Sequence, residues 1–184
     1  MKGLHTIAIL GAAFLTVFIE AQPGGVRHRL GVQVDLLPAL VVYAALTADL
    51  ATVTLLAVFG GLWFDSLSAN PFGISILPLF VAGVVIQRNQ ELVLRDQAYA
   101  RVVLGLLASS FVPVTTFLLM SGTSAKPIVN AGTLWQWLVM TIAGGLFTPV
   151  WFWCFGRLRR LFSYPTMPEH LYRRDRVIKR PRRI

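Results

Sequence analysis

Apolar runs long enough to cross a lipid bilayer recur along this chain and constrain its fold more than any other feature. No Lys or Arg occurs from Leu30 to Gln87, and 55% of the 184 residues are hydrophobic while only 14% are charged. A soluble domain of this size cannot bury that much apolar surface. Since about 20 helical residues cross a ~30 Å hydrocarbon core, the chain has room for five or six spans and little else. The sequence therefore predicts an all-α polytopic integral membrane protein without a separate catalytic domain.

Six apolar segments are predicted as transmembrane helices. The second and third are separated by a very short join, which predicts a tight helical hairpin. The first segment could also be a signal peptide, but its apolar stretch is long and Ile19 spoils the small-residue cleavage pattern before Gln22. The predicted spans are residues 4–21, 32–47, 48–64, 72–87, 102–120 and 133–156, which form a membrane domain of residues 1–156 followed by a basic tail of residues 157–184.

The net charge of +9 is concentrated near the carboxyl terminus, where ten of the 17 Lys and Arg follow Phe155. A basic total raises the question of nucleic acid, but this position is typical of a cytoplasmic tail that obeys the positive-inside rule. Such a tail lies near anionic lipid. Three arginines at its beginning are therefore predicted to face lipid headgroups: Arg157, Arg159 and Arg160.

The distribution of Lys and Arg also predicts the orientation in the membrane. An even number of spans places both termini on one side, and the basic tail assigns that side to the cytoplasm. Lys2 and the charged segment 88–101 then lie on the same side. Arg27 and Arg29 lie in a predicted outer loop and are exceptions to the excess of Lys and Arg on the cytoplasmic side. The expected location is the bacterial cytoplasmic (inner) membrane, with multiple passes and both termini cytoplasmic.

The sequence contains no constellation that is typical of catalysis or of metal binding. His5, His28 and His170 are far apart, and the single cysteine, Cys154, excludes an internal disulfide. No acid pair at useful spacing, no Ser with a nearby His and no glycine-rich phosphate loop occur. We therefore expect a protein that is not an enzyme and that needs no cofactor and no metal.

The stretch GGLWFDSLSANPFG, residues 60–73, is unusual in so apolar a chain. An acid at the centre of a membrane helix costs about 2.5–3.5 kcal/mol, so Asp65 at the outer end of the third span requires an explanation. One explanation is structural: its carboxylate accepts hydrogen bonds from backbone N–H groups of the turn that follows. The other adds contact with a partner or ligand. Asp35, near the start of the second span, is explained by the helix dipole alone.

Residues 32–87 resemble the rod shape-determining protein MreD family of the bacterial inner membrane. The family pattern is an apolar span that begins near a Pro, a short join, a span that ends Gly-Leu-x-x-Asp, a five-residue turn, Pro-x-Gly and another apolar span. The matching residues, together with an asparagine in the same turn, are Gly61, Leu62, Asp65, Asn70, Pro71 and Gly73. The other spans match in character only, and the basic tail is longer than in the family.

The resemblance implies a non-catalytic scaffold of the cell-elongation (rod shape) complex, or elongasome, which supports lateral peptidoglycan synthesis and cell shape. Its implied direct partner is MreC. The same assembly contains MreB, the glycosyltransferase RodA and a penicillin-binding transpeptidase. The implied fold is similar to that of the substrate-binding components of energy-coupling-factor transporters. The six motif residues are then candidates for partner binding, with Asp65 and Asn70 fixing an outer turn that MreC contacts.

A substrate-binding membrane subunit of a vitamin or small-solute transporter is the alternative. Its first span should carry small residues four apart for docking a coupling subunit, as Ala8 and Ala12 are here, although such spacing is frequent in any packed membrane helix. A solute binder should also present several convergent polar groups within its spans, and this chain has few.

The predicted orientation can be tested with reporter fusions. Alkaline phosphatase, which is active only outside the cytoplasm, should be inactive when fused after Gln97 and active when fused after Ser124. A phosphatase that is active after Gln97 would place segment 88–101 outside and reverse the topology.

Overall fold

The computed structural model describes residues 2–22, 34–68, 71–90, 98–122 and 130–162 of the chain. All regular secondary structure in these ranges is α-helical, in agreement with the predicted class. The helices in chain order are α1 (Lys2–Ala21), α2 (Leu37–Thr47), α3 (Leu50–Leu67), α4 (Ile76–Arg88), α5 (Ala98–Ser121) and α6 (Ala131–Phe162).

Four of the six described helices, α1, α3, α5 and α6, are long and apolar enough to cross a membrane. The chain is thus a multi-pass membrane protein. Helices α2 and α4 have only 11 and 13 residues, or about 16 and 20 Å of rise, which is shorter than a hydrocarbon core. The sequence predicted longer spans, 32–47 and 72–87, in which the residues before each helix form its first turn, although they include Asp35 and Gly73.

Helix α2 lies at the centre of the bundle. It packs against all five other described helices, and every residue from Leu37 to Leu46 is buried. A helix that is apolar on all faces suits either a protein core or a span that faces lipid. Pro38 lies in its first turn, where the missing N–H costs no helical hydrogen bond. The central position of α2 is therefore decided by the helices that pack around it and not by its composition alone.

One end of the bundle is joined by an aromatic and polar cluster. The Tyr43 ring of α2 stacks on Phe155 of α6 with centroids 4.5 Å apart, and its hydroxyl lies 3.1 Å from Nε2 of His5 in α1. The hydroxyls of Thr6 and Thr52 lie 2.9 Å apart and link α1 to α3. These contacts place the start of α1 and the end of α6 at the same end of the bundle.

Helices α5 and α6 form a closely packed antiparallel pair. A Cβ atom at Gly105 would collide with Thr148, and one at Gly144 would collide with Ser109. Each helix thus presents two small residues four apart, so the backbones approach closely. In lipid this close packing takes the place of the hydrophobic effect in holding helices together.

The packing of α5 on α6 predicts that Gly144→Ala destabilises the protein. The added methyl group would meet the Ser109 side chain, and overpacking of this kind costs about 1–3 kcal/mol. Thermal unfolding in detergent measures the loss. Gly11→Ala is the matched control because no atom lies within 4 Å of that position. Adding Ser109→Gly to Gly144→Ala should restore part of the stability; no recovery would contradict the packing.

Candidate functional site

Asp65 connects the end of α3 to the start of α4. Its carboxylate accepts a hydrogen bond from the backbone N–H of Ser75 at 3.1 Å and a second from the Ser75 hydroxyl at 2.6 Å. The sequence predicted that the span ends before Asp65. Instead α3 continues to Leu67 and only 2% of the Asp65 surface is exposed. The bonded N–H also lies two residues beyond the turn 66–73 that was expected to supply it.

The hydrogen bonds between Asp65 and Ser75 satisfy polar groups whose burial without a partner would cost free energy. Ser75 is the N-cap residue of α4 and its hydroxyl does not cap its own helix. The first N–H groups of a helix have no partner within the helix, and an unpaired buried group costs about 1–3 kcal/mol. The Asp65 carboxylate also places negative charge at the positive end of the α4 dipole. Asp65 therefore stabilises the junction of the two helices.

Gly61 lies one helical turn before Asp65 on the same face of α3. A Cβ atom there would lie 3.0 Å from the backbone nitrogen and 3.1 Å from the Cα of Ile76. The absence of a side chain thus allows the start of α4 to lie directly against α3. The spacing Gly-x-x-x-Asp brings the helices together at Gly61 and fixes them at Asp65.

The turn that precedes α4 depends on Gly73. Its φ angle is +87°, a left-handed conformation that costs other residues roughly 1–2 kcal/mol. The N–H of Ile74 donates to the carbonyl of Pro71 at 3.3 Å, and the N–H of Ile76 donates to that of Gly73 at 3.4 Å. The turn is therefore ordered by its own backbone bonds as well as by Asp65.

Four of the six motif residues thus meet at the α3–α4 junction: Gly61, Asp65, Pro71 and Gly73. Leu62 is partly exposed on α3, and Asn70 lies outside the described residues. The structure adds Phe72, whose side chain is 72% exposed on the turn. An apolar residue beside the motif glycine could have been noted in the sequence, but its exposure follows only from the fold.

Two further acids lie at this end of the bundle. The carboxylate of Asp35 accepts a hydrogen bond from the N–H of Leu37 at 2.9 Å, and that of Glu20 accepts one from the N–H of Leu36 at 2.9 Å. Both bonds serve the first turn of α2. The sequence assigned Asp35 to the dipole of this helix, and the bond to Leu37 is the geometry that such a role requires. The role of Glu20 was missed, because its partner is 16 residues away.

The described residues separate charge along the bundle. Glu20, Asp35 and Asp65 lie at one end, which we call the acidic end, and they are close enough for Asp35 to interact electrostatically with the other two. The fourth described acid, Asp49, is the N-cap residue of α3 and lies at the opposite end. The opposite end, which we call the basic end, contains every Lys and Arg of the described ranges: Lys2, Arg88, Arg101, Arg157, Arg159 and Arg160. No set of three or more His, Cys, Asp and Glu in those ranges has the geometry of a metal site.

The three arginines predicted to begin the tail are still part of α6. The helix continues to Phe162, six residues beyond the predicted span, and the side chains of Arg157, Arg159 and Arg160 are exposed on its last turns. The remainder of the tail, residues 163–184, lies outside the described residues. The guanidinium of Arg101 lies 4.5 Å from the centroid of the Phe152 ring, a cation–π contact that ties α5 to α6 at the basic end.

Comparison of the chain with protein-family models, with curated proteins and with solved structures gave no match.

The contacts at the α3–α4 junction predict that Asp65→Ala destabilises the protein by about 2–4 kcal/mol, because it leaves the buried N–H and hydroxyl of Ser75 without an acceptor. Ser75→Ala should cost less, since its N–H still reaches Asp65. Thermal and denaturant unfolding in detergent measure both losses. Ser66→Ala is the control: its exposed hydroxyl bonds only within α3, so the change should stay within about 0.5 kcal/mol. In the double variant the loss should be smaller than the sum of the two single losses. A simply additive loss would contradict the view that the hydrogen bonds between Asp65 and Ser75 cause the destabilisation.

Proposed function

We propose that this chain is a non-catalytic membrane scaffold of the cell-elongation complex, as its resemblance to the MreD family implies. The observation that supports the proposal best is the α3–α4 junction. Gly61, Asp65 and Gly73 each have a defined physical task there, namely close approach, hydrogen bonding and a left-handed turn. Residues of a motif that act together on one turn are what a recognition surface requires.

The proposed partner at this turn is MreC. The described part of this turn, residues 71–75, presents the exposed ring of Phe72 and is held by its own backbone bonds and by Asp65 before any partner binds. A preorganised surface loses little conformational entropy on binding. Aromatic side chains that a partner covers dominate the affinity of many interfaces. Asp65 then acts indirectly by positioning the turn, and Phe72 makes the contact. In this proposal Asn70 helps to fix the same turn.

The proposed orientation places the basic end in the cytoplasm. The positive-inside rule supports this choice, since the Lys and Arg of the described ranges lie at that end. The start of α1 and the end of α6 lie there too, so that both termini would be cytoplasmic in a bacterial inner membrane. The acidic end and its turn would then face outward. Arg157, Arg159 and Arg160 would lie against anionic lipid, on the side where MreB assembles with RodA and its transpeptidase.

The interface can be tested with Phe72→Ala. Because 72% of the side chain is exposed, thermal stability should remain close to that of the wild type, whereas recovery of MreC with the tagged chain should fall about tenfold. That change corresponds to 1.4 kcal/mol, within the range for an aromatic anchor. Quantitative co-purification from native membranes in mild detergent is the measurement, with cell width as a second readout.

Tyr99→Ala is the matched control, because Tyr99 is an aromatic residue with 77% exposure at the basic end. It should leave the recovery of MreC unchanged. Equal recovery with Phe72→Ala and wild type would remove the turn from the interface. Recovery of an ATPase pair and a coupling subunit in place of MreC would overturn the scaffold and favour the substrate-binding subunit of a transporter.

A further inference from the structure

A narrow groove runs along the outside of the bundle between α4 and α5. Its cavity volume is about 300 Å³. Eight of its nine lining residues are apolar, and the remaining one, Asn89, lies at the basic end. One side is lined by residues between Val81 and Asn89, the residue after α4, and the other by residues between Leu104 and Phe111 of α5.

The groove opens towards the surroundings of the bundle. Its floor is formed by small side chains, Ala82 and Ala108, which are buried against the core. Its rim is formed by larger ones that are 53%, 62% and 42% exposed, namely Val85, Leu107 and Phe111. These residues lie on two adjacent helices of a membrane bundle, so the groove faces the hydrocarbon of the bilayer.

The dimensions of the groove accommodate a hydrocarbon chain. From Val81 to Asn89 the helix rises about 12 Å, and the cavity volume over that length is about 300 Å³. Because carbon atoms in contact are about 3.5–4.0 Å apart, a single acyl chain can lie along the floor in contact with both helices.

The charge at the open end of the groove is positive. Arg88 is exposed, lies one turn after Val85 and precedes the polar end residue Asn89. The described residues of α4 and α5 contain no Asp or Glu near it; Asp49, the N-cap residue of α3, is the described acid at this end of the bundle. A basic residue at the membrane surface attracts anionic headgroups. The groove thus combines an apolar channel at hydrocarbon depth with a cation at headgroup depth.

We propose that this groove is a binding site for one anionic phospholipid. One acyl chain lies along the channel between Val81 and Asn89, over Ala82 and Ala108, and the phosphate lies beside the guanidinium of Arg88. The site is separate from the α3–α4 junction and does not depend on the partner proposed there. A lipid held in it fills the space between α4 and α5 and stabilises their arrangement.

The acyl-chain part of the site can be tested by filling the groove with Val85→Trp. The protein is placed in nanodiscs of phosphatidylglycerol and phosphatidylcholine in equal amounts, and the lipids that remain bound after release are counted by native mass spectrometry. Wild type should retain one phosphatidylglycerol that Val85→Trp loses. Val150→Trp is the matched control, because Val150 is 49% exposed on α6, and it should retain the lipid.

The headgroup part is tested in the same nanodiscs with Arg88→Gln. The preference for phosphatidylglycerol over phosphatidylcholine should fall about fivefold, which corresponds to about 1 kcal/mol for one basic residue near the surface, while a lipid is still retained. Arg88→Lys is the matched control, because it keeps the positive charge at the same position, and it should leave the preference unchanged.

Two results would overturn the proposal. In the first, Val85→Trp retains as much phosphatidylglycerol as wild type does. In the second, wild type retains no phosphatidylglycerol. An oligomer that Val85→Trp abolishes would then make the groove a contact between copies of the chain. Thermal unfolding of each variant in detergent confirms that the changes leave the bundle folded, and neither exposed valine is part of the core.

Discussion

Three buried or partly buried carboxylates bind backbone N–H groups at the starts of the two short helices, and the packing of the bundle depends on these bonds. Asp65 accepts the N–H of Ser75 at the start of α4, while Glu20 and Asp35 accept the N–H groups of Leu36 and Leu37 at the start of α2. A helix that starts inside a bundle buries N–H groups that water cannot reach, and lipid offers no partner either. Carboxylates accept hydrogen bonds from these groups, and their negative charge interacts favourably with the positive end of the helix dipole. The acids of the acidic end thus hold the starts of α2 and α4 by accepting hydrogen bonds from their backbone N–H groups.

Because α2 begins in this way, it can lie at the centre with every residue from Leu37 to Leu46 buried. The longer helices then pack around it, and the close pair of α5 and α6 is held by small residues on both sides. Tyr43 ties the opposite end of α2 to α1 and α6. The bundle therefore has a short central helix, whose start is held by hydrogen bonds, and longer helices around it that face lipid. This arrangement gives a small membrane protein a packed core.

The separation of charge gives the two ends different chemistry. At the acidic end each of the three carboxylates accepts a backbone hydrogen bond, and Phe72 is exposed on the described part of the turn. At the basic end the arginines are mostly exposed, and Arg88 lies at the end of the groove between α4 and α5. In the scaffold that we propose, recognition of a protein partner and contact with anionic lipid are thus assigned to opposite ends, so that a change at one end can leave the other intact.

The sequence by itself determined the all-α membrane class of the protein and the approximate positions of its six described helices. It also marked residues 60–73 as the place where one helix ends and a turn follows. Long apolar runs, a gap in Lys and Arg and local turn residues each have a local physical meaning. The sequence did not determine where α2 and α4 begin, the burial of Asp65 or the role of Glu20. Hydrocarbon and protein interior select the same apolar residues, so hydropathy cannot separate the buried α2 from a lipid-facing helix. Only the tertiary structure brought Glu20 to Leu36 and Asp65 to Ser75, since a helix start in a membrane is fixed by whichever distant group satisfies its N–H groups.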